Sequence, residues 1–296
     1  MNNFNDLYRP KLFSDILGND ITTSIISKQI AVDRLPKVYI FVGQAGVGKT
    51  SLARVIANEL GVSNPIEINA AVTNGVDDIR AINEDAQYMS LTGEKKVYIL
   101  DEVHRLSKSS WSASLKLLEE PPEDTLFILC TTEYDKIPQT ILSRAQVFYL
   151  QPVPTEKIAE RLGIICNDFN LDFEPEALTY LAKGSMGCVR EAIQKLEQVS
   201  VLGEITLEAV KRVLPDLDIF HKILVDHNFE LIETLANNSI SVDSLIGEAV
   251  KLALENKFPR KVAIGLVKLR PCLTTPFNPE VVRVFLESSF KVVDNG

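Results

Sequence analysis

Residues Gly43–Thr50 read GQAGVGKT, a G-x-x-x-x-G-K-[ST] pattern, and its flanks restrict the folds that can carry it. The β-branched and aromatic run VYIFV (38–42) leads into it, and LARVIANEL, from Leu52, leads out with the pattern of a helix. A glycine-rich turn between a buried strand and a helix aims backbone N–H groups and a helix N-terminus at one point, which suits a polyphosphate. Lys49 is expected to reach the β- and γ-phosphates and Thr50 to bind Mg²⁺. Gly43, Gln44, Ala45, Gly46, Val47, Gly48 and Ser51 complete the expected binding loop. The competing reading is a glycine-rich turn with a solvated lysine; the pattern arises by chance in roughly 1% of chains of this length.

Four more apolar runs follow: IEIN (66–69), KVYIL (96–100), LFILC (126–130) and VFYL (147–150). They are nearly continuous in hydrophobicity, as buried parallel strands are, and most of the segments between them can hold a crossover helix. The expected fold is therefore α/β: a P-loop parallel-sheet domain over residues 1–152. Pro152 and Pro154 mark its end. Helical patterns at 155–168, 174–183, 188–202 and 206–214 make 153–214 a helical domain. Residues 215–296 form a second one, with amphipathic stretches at 217–236, 242–256, 260–270 and 279–293 and with Pro271, Pro276 and Pro279 between helices.

A second acidic position belongs to the same chemistry. Asp101 and Glu102 follow KKVYIL, at the C-terminal end of a strand, where open α/β sheets bind ligands. Asp101 is expected in the Mg²⁺ shell, through a water, and Glu102 is expected to orient or polarise an attacking water as general base. Capping of the following helix is the alternative for both acids. His104 is read as structural.

Composition narrows the partners. The 296 residues carry a net charge of -9 with 46% apolar and 24% charged residues, the balance of a globular chain and not of one that coats nucleic acid by charge alone. Four scattered cysteines, Cys130, Cys166, Cys188 and Cys272, form no C-x-x-C pair, so a reducing cytoplasm is the expected setting. The start MNNFNDLYRP has neither a basic nor an apolar signal region, and no membrane association is expected.

The segments LYRPKLFSDILGN, GQAGVGKTSLARVIANEL, INAAVTNGVDDIR, KVYILDEVHRLSKSSWSASLKLLEEPPEDTLFILCTTEYDKIPQTILSRA and GSMGCVREAI, in this order over residues 7 to 200, resemble the ATPase subunit of bacterial DNA polymerase III clamp loaders, of the AAA+ class. The resemblance implies an α/β domain with a helical lid and collar. It also implies an ATP hydrolase that opens a sliding clamp onto primer-template DNA with other loader subunits in a five-subunit spiral, and that serves the DNA polymerase indirectly. It assigns Thr132 as sensor 1, with a turn hydroxyl as the alternative, and Arg144 in SRA as a finger on a neighbour's ATP. Arg190 becomes sensor 2, and Tyr8, Arg9 and Pro10 a box enclosing the base; a surface salt bridge is the alternative for Arg144, a helix-surface arginine for Arg190 and core packing for the box. Ala145 stands where the family usually has cysteine. LGVSNP replaces the four-cysteine module of bacterial relatives, so no structural zinc is expected and the chain looks closer to the compact subunits of phages or archaea.

Arg80, Ser107, Lys108, Lys116 and Thr140 fit the family's DNA lining, and Arg105 joins them by charge and place. Solvated helix faces are the alternative for each. Such contacts would grip phosphate and sugar without reading sequence. Thr73 and Gly75 stand where the family is often basic, and the segment around Tyr88 and Met89 corresponds to the clamp-facing part of the family fold, with core packing the preferred reading of its residues. A nucleotide-holding scaffold subunit and another AAA+ DNA-remodelling ATPase are the competing functions.

Overall fold

The five apolar runs become five parallel strands; residues 38–42 and 125–131 are buried throughout, whereas 66–69 is mostly exposed. In this computed structural model, residues 3–72, 75–87, 95–213, 219–237, 242–254, 258–273 and 279–293 are described. The chain divides into two units: Met1–Leu171 with Gly187–Gln198, and Asp172–Met186 with Val199–Gly296.

The first unit holds β1 (Val38–Val42), β2 (Ile66–Asn69), β3 (Lys96–Asp101), β4 (Thr125–Thr131) and β5 (Gln146–Tyr149), in the order β2-β3-β4-β1-β5. Side-chain alternation along β1 explains why both faces must be covered. Tyr39 and Phe41 enter a cluster with Ile26, Leu52 and Ile56, whereas Val38, Ile40 and Val42 enter another with Ile79, Trp111 and Leu118. The helices α2 (Asp20–Ala31) and α3 (Lys49–Glu59) supply the first cover, and α4 (Val76–Gln87) and α5 (Lys108–Glu119) the second. Each fully buried large side chain contributes about 1.5–3 kcal/mol. The short α1 (Phe4–Leu7) precedes these elements, and α6 (Gln139–Leu142) precedes β5. Glu120 closes α5 just before Pro121 and Pro122, as the prolines demand. The helices α7 (Thr155–Asp168) and most of α9 (Val189–Ser200) group with the sheet.

The strand order has one consequence for chemistry. β1 and β3 are separated by β4 alone, so the C-terminal ends of three strands line up beside one another. Residues placed there by distant parts of the sequence can act together.

The second unit contains α8 (Pro175–Gly184), α10 (Leu207–Val213), α11 (Ile219–Leu224), α12 (Ile232–Asn237), α13 (Val242–Leu254), α14 (Arg260–Leu273) and α15 (Pro279–Val293). Its core includes Ile223, Leu245, Leu266, Val282 and Leu286. Three features differ from expectation. The stretch 217–236 is not one helix: it breaks after α11, where His227 adopts φ 55° and the Asn228 N–H donates to the Lys222 carbonyl at 3.0 Å. The polar triplet Asp226-His227-Asn228 interrupts the apolar pattern at that point. Pro271 lies inside α14, in its last turn, where the missing N–H removes only a terminal bond; Pro279 opens α15, and Pro276 lies outside the described residues. A two-residue parallel pair, β6 (Asp172–Phe173) with β7 (Glu204–Ile205), joins the helices and is too short to show alternation in sequence.

Candidate nucleotide-binding site

The binding loop is shaped by glycines that could not be other residues. Gly46 (φ 74°) and Gly48 (φ 101°) take the left-handed region, and a Cβ on Gly46 would fall 2.1 Å from Cys188 Sγ. Gly48 caps α3, so Lys49 opens the helix with its side chain turned inward and only 5% exposed. Its Nζ donates to the Gly43 and Gln44 carbonyls, both at 2.9 Å. Burial pulls the Lys49 pKa below its ordinary value, while the nearby Cys130, Glu102 and Asp101 act to raise it.

The Thr50 hydroxyl donates to Asp101 Oδ2 at 2.6 Å, from the first turn of α3 to the end of β3. A hydroxyl and a carboxylate brought together beside a buried ammonium form a set of hard oxygen donors that suits Mg²⁺ on a polyphosphate. Glu102 is the next residue and has φ 53°, a left-handed conformation that a non-glycine residue adopts at some cost; its N–H donates to Asp101 Oδ1 at 2.9 Å.

One cavity of the first unit collects most of the expected residues. It is lined by Tyr8, Arg9, Pro10, the loop from Ala45 through Ser51, Asp101, Glu102 and Arg190. Gly43 and Gln44 bear on it through the carbonyls that accept from Lys49. Tyr8 donates through its hydroxyl to Asp168 at 2.7 Å, and burial together with that bond pushes its pKa up to about 12, so it remains a neutral donor. Arg190 arrives because the turn before α9 docks on the sheet domain: the Val153 N–H donates to the Gly187 carbonyl at 3.1 Å, and a Cβ on Gly187 (φ 84°) would meet Pro152 Cβ at 2.4 Å.

Two expected residues lie outside that lining. Thr132 is exposed one position beyond β4. The buried hydroxyl at this strand end belongs to Thr131, which accepts from the Glu133 N–H at 2.9 Å and lies 3.2 Å from His104 Nδ1. Arg144 is also exposed, following α6, with Nη1 donating to the Thr140 carbonyl at 3.1 Å and lying 3.4 Å from Glu119 Oε1.

The cavity also includes a residue that sequence reasoning missed. Arg161 donates through Nη2 to the Asp15 carbonyl at 3.1 Å, while its buried Nε has no hydrogen-bond partner. The available signal was its position in α7: Ile158, Leu162 and Ile165 form the buried stripe, and an arginine lies beside them at a spacing that faces inward. An unpaired buried donor in a polar cavity fits a ligand rich in acceptors.

The residues expected to meet DNA are exposed. Lys108 and Lys116 share one face of α5 at eight-residue spacing, and Ser107 caps that helix by accepting from the Ser110 N–H at 3.1 Å. Arg105 precedes them, Thr140 lies on α6, and Arg80, on α4, pairs with Asp77 at 2.9 Å. Thr73, Tyr88 and Met89 lie outside the described residues; Gly75 is exposed. No described helix is long and apolar enough to cross a membrane.

Several known proteins are similar to this chain. A family model described as DNA polymerase III, delta subunit, matches residues 66–154. The DNA polymerase III subunit tau of Escherichia coli (strain K12) is 35% identical over 274 residues, covering 84% of this chain and 42% of that protein. Subunit gamma/tau of Mycoplasma pneumoniae is 38% identical over 219 residues, 67% of this chain and 32% of the relative. The chain thus spans less than half the length of these two relatives. A solved structure of the Thermotoga maritima RuvB Holliday junction branch migration motor superposes with a TM-score of 0.62 at 21% identity, covering 81% of this chain and 85% of that one, a likeness of fold.

Proposed function

From the premise that this chain is a clamp-loader-like AAA+ subunit, we propose that it hydrolyses ATP with Mg²⁺ to open a sliding clamp and load it on primer-template DNA, within a spiral of loader subunits. The observation that carries this reading is the meeting of Lys49, Thr50, Asp101, Glu102 and Arg190 at one cavity while Arg144 stands outside it. The three-part organisation, 1–152, 153–214 and 215–296, belongs to the same proposal as nucleotide domain, lid and collar.

Each residue then has a physical task. The loop from Gly43 to Ser51 presents N–H groups to the phosphates, and Lys49 places a positive charge among them. Thr50 and Asp101 hold Mg²⁺, which when bound neutralises charge on the phosphate oxygens. Glu102 orients the attacking water and accepts its proton. Tyr8, Arg9 and Pro10 wall the base, and Arg161 offers its free Nε to the nucleotide. Thr132 senses the terminal phosphate from the strand end. Arg190 joins the phosphates from α9, so the position of that helix depends on nucleotide. Arg144 reaches ATP held by a neighbouring subunit, where a guanidinium offsets charge in the transition state. Arg80, Arg105, Ser107, Lys108, Lys116 and Thr140 grip DNA phosphates, giving salt-dependent binding without sequence reading.

The test follows phosphate release from this chain with loader subunits, clamp and primer-template DNA, leaving out one component at a time. Turnover should require the subunits and rise with clamp and DNA together. Turnover indifferent to both would favour another AAA+ remodelling activity, and nucleotide binding without turnover would favour a scaffold subunit.

A further inference from the structure

The ring of His104 is buried, with its side chain 2% exposed, between two acidic residues from different strand ends. Its Nε2 lies 3.4 Å from Glu102 Oε2 and 3.3 Å from Glu133 Oε1. On the opposite side of the ring, Nδ1 lies 3.2 Å from Thr131 Oγ1, which fixes the ring plane against the end of β4. A ring nitrogen facing two carboxylates must carry the proton, because carboxylates accept and do not donate. One N–H cannot align with both oxygens at once, so Glu102 and Glu133 compete for it. Glu133 has another partner, Lys136 Nζ at 2.9 Å, and the hydrogen bond from Lys136 is the main reason its carboxyl lies below the ordinary range.

We propose that His104 is a positioning residue that holds the Glu102 carboxylate in its working orientation and couples it to the Thr131–Glu133 segment. Thr132 sits between the two residues of that segment that touch the ring or face it. A displacement of Thr132 therefore moves Thr131 and Glu133, changes how the imidazole N–H is divided, and frees or fixes Glu102. The left-handed backbone of Glu102 supports this role: the residue is held at φ 53° beside its neighbour's carboxylate, so its side chain needs a separate restraint. This inference rests on the ATPase reading.

The experiment compares the full chain with His104→Ala, His104→Gln and Glu133→Ala, each assembled with loader subunits, clamp and primer-template DNA, measuring kcat, KM for ATP, affinity for a fluorescent ADP analogue, and thermal melting. His104→Ala should lower kcat about tenfold or more with KM and nucleotide affinity nearly unchanged, the pattern of a lost transition-state contribution. His104→Gln, which keeps an N–H donor, should recover part of the loss. Glu133→Ala, at a half-exposed side chain, should raise kcat about twofold because the N–H then serves Glu102 alone. If the alanine variant at 104 does not fold, the other two variants decide. Wild-type kcat in His104→Ala, or in both of the others, would overturn the coupling, as would a fall in nucleotide affinity in step with kcat. An assembly containing the wild-type chain that binds ATP but never hydrolyses it would overturn the ATPase reading and this inference with it.

Discussion

The sheet-bearing unit and the helical unit both bury apolar side chains, but they differ in what their polar residues do. In the first, strand ends carry Asp101, Glu102 and Thr131, and polar atoms from distant segments meet: the Thr50 hydroxyl on Asp101, Tyr8 on Asp168, Arg161 on the Asp15 carbonyl. In the second, the core from Ile219 to Phe290 is apolar, and the polar pairs among the described residues include local ones such as Arg212 with Glu208 and Arg283 with Glu287, four residues apart. A parallel sheet concentrates chemistry because all its strands end on one side. A helical bundle without such an edge gives stability and surface.

The largest expected effect tests the chemical side of that contrast. Lys49→Ala should abolish hydrolysis and weaken nucleotide binding at least about a hundredfold, since it removes the positive charge from the phosphate cradle. Isothermal titration with ATP checks it, and circular dichroism should show the helices of 219–293 intact.

A smaller effect is expected from the structural side. Leu266 is fully buried in α14, so Leu266→Ala should destabilise the helical unit by about 3 kcal/mol in denaturant unfolding. Nucleotide affinity should not change. A matching loss of affinity would break the contrast, because it would tie the bundle's packing to the phosphate site.

The smallest concerns the entrance to the sheet domain. Asp15 accepts from the Lys11 and Leu12 N–H groups, both at 3.0 Å, and these bonds depress its pKa. The folded state therefore favours the charged carboxylate: its contribution is present above the ordinary carboxyl pKa and is lost as pH falls through the lower folded value. Asp15→Asn should cost about 1 kcal/mol at neutral pH, a difference that shrinks on acidification through that window. Thermal melts of both proteins across acidic and neutral buffers measure it.

The same contrast explains what the sequence could disclose. Strands β1, β3 and β4 were readable because full burial demands unbroken apolar runs, and the loop at Gly43–Thr50 was readable because its glycines have fixed spacing. Arg190 lines the cavity because the turn before α9 places it there. Arg161 was not readable, since only the folding of α7 toward Asp15 makes it a cavity residue. Nor were the partners of His104, because Thr131 and Glu133 come from another strand end and no local pattern announces them. In the helical unit, periodicity located the helices but not the break at His227 or the passage of α14 through Pro271, where local geometry overrides an amphipathic pattern.

The central claim is that the phosphate cavity is half of a site shared between subunits, with Arg144 serving a neighbour. The phosphate-release assay with loader subunits, clamp and primer-template DNA tests it most directly when run on Arg144→Ala beside the wild type. The account predicts nucleotide affinity within about twofold of wild type and stimulated turnover reduced about a thousandfold. Stimulated turnover equal to wild type would contradict it.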